Sequence, residues 1–213
     1  MTPHEGQKRL ILIGPQGSGK GTQGELLSVY LQIPTISTGH LCRTEIEHGT
    51  ELGKSIEQYV RAGELVPDEI VIQMLKKRIT EFDAQDGFII DGFPRTVAQA
   101  EEAESWLRPT KVIVIEIDDA QAVERMSQRR ACSQCRYKTT ADFVAKHGDE
   151  CPRCSGKIVQ REDDLPEAIQ HRLNTYHQIT QPVVSYYEAH GLIERFDGAQ
   201  TIPKVFMEIA HVL

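Results

Sequence analysis

Short apolar runs alternate along the chain with longer stretches in which apolar residues recur every third or fourth place. Lys8 to Ile13 is such a run, rich in β-branched residues and ending at Gly14, and it reads as a buried strand entering a tight turn. A helix is predicted to follow from about Gly19. Similar runs lie at Gly87 to Ile90, closing on Asp91, and at Lys111 to Ile117, closing on Asp118, with helix-like segments around each. Ile169, Leu173, Tyr176, Ile179, Val183 and Tyr187 are spaced as one face of a long amphipathic helix, in which Pro182 forces a kink or a local accommodation. Leu192 to Phe196 predicts a last strand and Thr201 to His211 a last helix. Strands alternating with helices pack as a parallel, doubly wound sheet, so the fold class is α/β.

Two stretches interrupt this rhythm. Gly39 to Gly63 is mostly helical, whereas Arg129 to Asp164 is polar, cysteine-bearing and short of long apolar runs; both read as insertions at the functional edge of the sheet. A chain of 213 residues accommodates one core with such insertions, and 39% apolar with 26% charged residues is ordinary globular composition. The segment Met1 to Arg9 is short and polar, and no apolar run nears the roughly 18 residues of a membrane span. A cytoplasmic protein without a membrane partner is therefore expected. The formal net charge of −7 opposes non-specific nucleic-acid binding, so a polyanionic ligand needs a focused basic site.

Such a site is written at Gly14-Pro15-Gln16-Gly17-Ser18-Gly19-Lys20, which fits the phosphate-loop pattern G-x-x-x-x-G-K between a strand and a helix. Glycines there let backbone N–H groups converge on phosphate oxygens, the helix dipole favours the anion, and Lys20 reaches the terminal phosphates. The alternative is a glycine-rich turn with an incidental lysine. The residue after Lys20 is Gly21, and the hydroxyl that the general pattern places there comes at Thr22.

Four of the five cysteines form two Cys-x-x-Cys pairs, Cys132 with Cys135 and Cys151 with Cys154, separated by fifteen residues. That spacing suits a closed four-thiolate Zn²⁺ site, structural because no coordination position is left open. Disulfides, free thiols or a nucleic-acid-binding zinc ribbon are the other readings. The stretch from Arg136 to Glu150 is too polar to build a core of its own.

Lys20-Gly21-Thr22-Gln23 resembles the end of the phosphate loop in adenylate kinases, and three further blocks are similar to that family in order. Ser37-Thr38-Gly39 with Arg43, and Gly63-Glu64-Leu65-Val66-Pro67-Asp68, look like the two ends of its AMP-binding insertion. Asp91-Gly92-Phe93-Pro94-Arg95-Thr96 with Gln99 looks like its most distinctive block. Arg125 and Arg129 open a lid, Arg161-Glu162-Asp163-Asp164 closes it, Arg172 follows, and Gln200 falls where the family supports the ATP base.

The resemblance implies a P-loop NTPase-type parallel β-sheet flanked by helices. It divides the chain into a core of 1–36, 67–127 and 165–213, a helical nucleoside-monophosphate-binding insertion at 37–66 and a zinc-containing lid at 128–164. ATP would be held by Gly17, Ser18, Gly19, Lys20, Gly21, Thr22, Arg125, Arg129 and Gln200. AMP would be held by Thr38, Arg43, Glu64, Leu65, Val66, Gly92, Phe93, Arg95, Gln99, Arg161 and Arg172. The catalytic set would be Lys20, Asp91, Arg95, Arg129, Arg161 and Arg172, with Mg²⁺ as cofactor and Asp91 supporting its bound water. The implied reaction is reversible, direct in-line transfer from ATP to AMP giving two ADP, by a monomer with no nucleic-acid partner. A kinase for another nucleoside monophosphate and a catalytically weak adenine-nucleotide sensor are the competing functions.

The chain departs from the family pattern at three places. His40 stands where an Asp is usual, Cys42 where an aliphatic residue is usual, and Tyr137 with Thr139-Thr140 where a Tyr-His pair is common. The first is read as a tolerated change or as a pH-dependent or altered metal role, the second as a small buried hydrophobe, and the third leaves the lid's contact with the ATP base unassigned.

Overall fold

The computed structural model describes residues 6–135 and 137–213. Met1 to Glu5 of the polar amino-terminal segment, and Arg136 of the cysteine-bearing stretch, lie outside the described residues.

In chain order the elements are β1 (Lys8–Ile13), α1 (Lys20–Leu31), β2 (Thr35–Ser37), α2 (Thr38–Glu47), α3 (Glu51–Ala62), α4 (Asp68–Arg78), β3 (Gly87–Asp91), α5 (Val97–Ala103), β4 (Lys111–Glu116) and α6 (Asp119–Gln128). Then follow β5 (Arg129–Cys132), β6 (Lys138–Thr140), α7 (Ala141–His147), β7 (Ile158–Val159), α8 (Pro166–Thr175), α9 (Gln181–Ala189), β8 (Ile193–Asp197) and α10 (Ile202–His211). Five parallel strands form the central sheet in the order β2-β3-β1-β4-β8, and β6-β5-β7 form a separate antiparallel sheet. The three-residue β2 has too little pattern of its own to be read from sequence; pairing with β3 makes it a strand.

Strand periodicity divides the core. Leu10 and Leu12 of β1, Ile89 of β3, and Ile113 and Ile115 of β4 pack against Leu27 of α1 and Val205 and Ile209 of α10. Their neighbours Ile11, Ile13, Ile90, Val112 and Val114 face the other way, onto Leu75 of α4, Ala100 of α5 and Val183 and Tyr187 of α9. Burial on both faces explains why these strands read as continuous apolar runs. Helix starts are fixed by side-chain caps: Thr50, Thr96 and Asp118 accept from Gly53, Gln99 and Gln121 N–H groups.

The predicted long helix from Ile169 to Tyr187 is not continuous. A π turn at Tyr176–Thr180 separates α8 from α9, and Pro182 falls in the first turn of α9, where a missing N–H is tolerated. The extra residue in the turn shifts the apolar stripe: Ile169, Leu173, Tyr176, Val183 and Tyr187 are buried as expected, but Ile179 is 41% exposed.

Candidate functional site

The carboxyl edge of the sheet opens into a cleft of about 1270 Å³, walled by the loop after β1, by α2, by the segment after β3 and by β5 and β6. Ligand sites of open parallel sheets lie at this edge. Gly17 has φ +86°, and a Cβ there would stand 2.9 Å from the Ala122 carbonyl oxygen, so only glycine lets the loop close against α6. Arg125 locks that closure by donating from Nη1 to the carbonyls of Gly198, at 2.8 Å, and Gly17, at 3.4 Å.

Lys20 opens α1, and its Nζ donates to the carbonyls of Gly14 at 2.6 Å and Pro15 at 2.7 Å. Burial pushes the amine down to about 8; Asp91 opposes the shift while Arg95, Arg172 and Arg129 add to it. About half of Lys20 is therefore neutral near pH 8 without ligand. Trace acylation at that pH is expected to modify Lys20 ahead of exposed Lys204, and ATP to protect it; equal reactivity of the two amines would contradict this.

After β3 the chain turns at Gly92, φ +90°, where a Cβ would meet Thr38 Oγ1 at 2.7 Å. Thr38 Oγ1 donates to the Gly92 carbonyl at 3.0 Å, and Arg95 Nε reaches the same oxygen at 2.8 Å. Burial lowers the pKa of Arg95, with Asp91 opposing. Gln99 is held between the Arg95 N–H, which donates to its Oε1 at 2.7 Å, and Asp68 Oδ1, to which its Nε2 donates at 2.6 Å.

Opposite stands a cluster of three arginines on two carboxylates. Arg129 grips Asp164 with a fork of two hydrogen bonds, and Arg161 grips Asp163 in the same way. Arg172 Nη1 bridges them, 2.8 Å from the Asp163 carbonyl and 3.4 Å from Asp164 Oδ1. Burial alone would raise the Asp163 pKa, but Arg161 and Arg172 outweigh it and hold the group at about 2. Burial pulls Arg172 down to about 10, which leaves it cationic at neutral pH. Among the described residues the cleft wall carries nine Lys or Arg against six Asp or Glu, although the chain as a whole is at −7.

Of the residues singled out from sequence, Gly17, Gly19, Lys20, Gly21, Thr22, Thr38, Arg43, Glu64, Leu65, Val66, Asp91, Gly92, Arg95, Gln99, Arg125, Arg129, Arg161 and Arg172 line this one cleft. Ser18 is buried within the loop and Phe93 lies in the core at 1% exposure. Gln200 is not on the wall; its Nε2 donates to Glu208 at 3.1 Å. His40 is exposed on the wall, and Cys42 is buried in the main core, as a small hydrophobe would be. Sequence reasoning noted Asp163 and Asp164 only as part of a block and missed that they hold the arginines. The available signal was two adjacent acids beside a basic residue in a segment that must pack.

Cys132, Cys135, Cys151 and Cys154 come together, with all four Sγ atoms within 4.8 Å of one another and the Cys132–Cys154 and Cys135–Cys151 separations at 3.5 Å. Those distances exceed a disulfide bond of about 2.05 Å and approach the roughly 3.8 Å between thiolates arranged tetrahedrally around zinc. Backbone N–H groups of Gln134 and Arg153 point at Cys132 and Cys151 Sγ, both at 3.4 Å, as they would toward thiolates. The four cysteines thus fit a metal ion. Thr22 and Asp91 supply a hydroxyl and a carboxylate on the cleft wall beside the phosphate loop, an oxygen set that suits Mg²⁺ shared with substrate phosphates.

A parallel sheet, a glycine loop entering a helix, and a basic cleft at the strand ends define a phosphate-loop nucleotide-binding α/β protein. The family model described as Adenylate kinase matches residues 12–192. The chain is 43% identical over 212 residues to the Adenylate kinase of Moorella thermoacetica, covering 96% of this chain and 97% of that relative. It is 42% identical over 203 residues to that of Acidothermus cellulolyticus, covering 92% and 94%, and 43% over 210 residues to that of Methanosarcina mazei, covering 96% and 97%. The chain belongs to the adenylate kinase family, whose enzymes transfer phosphoryl groups between nucleotides. Among the described residues no helix is long and apolar enough to cross a membrane.

Proposed function

We propose that the chain catalyses Mg²⁺-dependent, reversible transfer of the terminal phosphoryl group of ATP to AMP, giving two ADP, in the cytoplasm. The observation that carries this reading is the convergence of Lys20, Arg95, Arg129, Arg161 and Arg172 on one cleft of about 1270 Å³. Gly17 to Thr22, Arg125 and Arg129 hold the ATP phosphates, with Gln200 behind the base. Thr38, Arg43, Gly92, Arg95, Arg161 and Arg172 hold AMP against Glu64, Leu65 and Val66, with Phe93 packing beneath. Gln99, fixed by Asp68 and the Arg95 N–H, offers its second amide hydrogen to adenine.

In the transfer step an AMP phosphate oxygen attacks the γ-phosphorus in line, its P–O bond forms, and the bond to the β,γ-bridging oxygen breaks. The attacking oxygen is already an anion, so no side chain has to remove a proton; the protein's work is positioning and charge stabilisation. Lys20 leaves the loop carbonyls for the terminal phosphates. Arg129, Arg161 and Arg172, aligned by Asp163 and Asp164, meet the moving charge. Thr22 and Asp91 would hold Mg²⁺, which would supply positive charge to offset that of the phosphates. The insertions at 37–66 and 128–164 close over the 1–36, 67–127 and 165–213 core and exclude water, which suppresses ATP hydrolysis. Cys132, Cys135, Cys151 and Cys154 would hold zinc, which would keep the lid folded.

Arg95→Ala separates the two nucleotide sites. The expected result is a rise of about a hundredfold in the KM for AMP, from loss of a bidentate phosphate contact, with ATP binding changed less than threefold. Equal losses for both nucleotides would contradict the assignment.

A further inference from the structure

We propose that Lys138, on strand β6, is a further phosphate-binding cation of the ATP site, held over the phosphate loop by Glu25 until nucleotide enters. The inference rests on reading that loop as the ATP site.

The register of the small sheet aims this lysine. Arg129 pairs with Thr140 and Ala131 with Lys138 across β5 and β6. Directly opposed residues share a face, and alternate residues along a strand return to it, so Lys138 projects on the same side as Arg129. Both line the cleft. From there the ammonium crosses to α1: Nζ lies 2.7 Å from Glu25 Oε1. It also lies 2.9 Å from the point where a Cβ on Gly21 would stand, and Asp91 Oδ2 is 3.5 Å from that same point. The ammonium thus fills the space a side chain at 21 would take, over the first turn of α1, where backbone N–H groups favour an anion.

Stability does not account for the pair. Its side chains are 40% and 62% exposed, and ion pairs so open to solvent add little to folding. What the pair does is keep a flexible lysine at the loop and cancel the charge of Glu25, which also lines the cleft. A triphosphate entering the loop offers more negative charge than one carboxylate, and Nζ exchanges Glu25 for a phosphate oxygen by rotation of its own side chain. One residue thereby couples the β6 strand to the presence of ATP.

The test compares Lys138→Met, Glu25→Gln and the double variant in the full chain, with Lys20→Met as reference and Lys138→Arg as the conservative replacement. Calorimetric titration gives the Kd for ATP, and transfer assays give the KM for AMP. Lys138→Met is expected to weaken ATP binding about tenfold, as for one lost charge-assisted hydrogen bond, with the KM for AMP unchanged within twofold. Lys138→Arg is expected to restore most of the affinity. Glu25→Gln is expected to tighten ATP binding, and the double variant to keep the loss. Recovery of parental affinity in the double variant would overturn the inference, since Lys138 would then only neutralise Glu25. An unchanged Kd in Lys138→Met beside impaired ATP binding or transfer in Lys20→Met would overturn it while leaving the ATP-site reading in place. If Lys20→Met also left binding and transfer intact, that reading would fail too.

Discussion

Lys20→Met is expected to lower the turnover of nucleotide phosphoryl transfer by about a thousandfold and, in the same protein, to raise thermal stability. The two directions have one cause. A lysine whose amine is pushed down to about 8 by burial is held where its charge is unwelcome. The folded pKa lies below the unfolded 10.5, so the unfolded chain binds the proton more tightly. Lys20 therefore opposes folding at neutral pH, and the opposition is relieved as pH rises from about 8 toward 10.5. Methionine of similar length removes that cost along with the cation proposed to meet the transferring phosphate. Parallel assays of kcat and of the melting temperature at pH 7 check both halves. A variant that lost activity together with stability would show Lys20 to be a structural residue.

With zinc on the four cysteines, as proposed, chelation under reducing conditions is expected to have the second large effect. The cysteine-bearing segment has little else to hold it: its buried cluster is Cys132, Cys151 and Ile158, with Tyr137, Phe143 and Val144 packed beside it. Three buried side chains do not offset the ordering entropy of some thirty residues at about 1 to 2 kcal/mol each, whereas zinc binding coupled to folding contributes on the order of 10 kcal/mol. Metal removal is expected to expose the chain between 132 and 160 to proteolysis and to abolish transfer. The central sheet should keep its far-ultraviolet dichroism, because neither core cluster flanking that sheet includes a residue of the segment. Persistence of protease resistance after complete metal loss would show that thiol contacts alone suffice.

The strands were legible because they are buried on both faces. Leu10, Leu12, Ile11 and Ile13 leave no polar position to confuse the pattern, and the same holds for β3 and β4. The phosphate loop was legible because its glycines answer local geometry, as at Gly17. What escaped depends on contacts far apart in sequence. β2 exists through pairing with β3, and the π turn at Tyr176–Thr180 depends on how α8 and α9 each meet the core, so Ile179 was assigned to the wrong face. Asp163 and Asp164 stood in the sequence only as part of the block that closes the lid; only folding brings Arg129 and Arg172 onto them. Lys138 sits in a polar stretch with no motif, and its meeting with Glu25 spans 113 residues.

The central claim is phosphoryl transfer between ATP and AMP within one cleft. It is tested most directly by following ADP formation from ATP and Mg²⁺ with AMP, GMP, CMP and UMP as separate acceptors, with Lys20→Met as the control for contaminating kinase. ADP formed with AMP far faster than with the other acceptors, and lost in the control, is the predicted result. Measurable ATP binding without transfer to any acceptor, or transfer preferring another nucleotide, would contradict it.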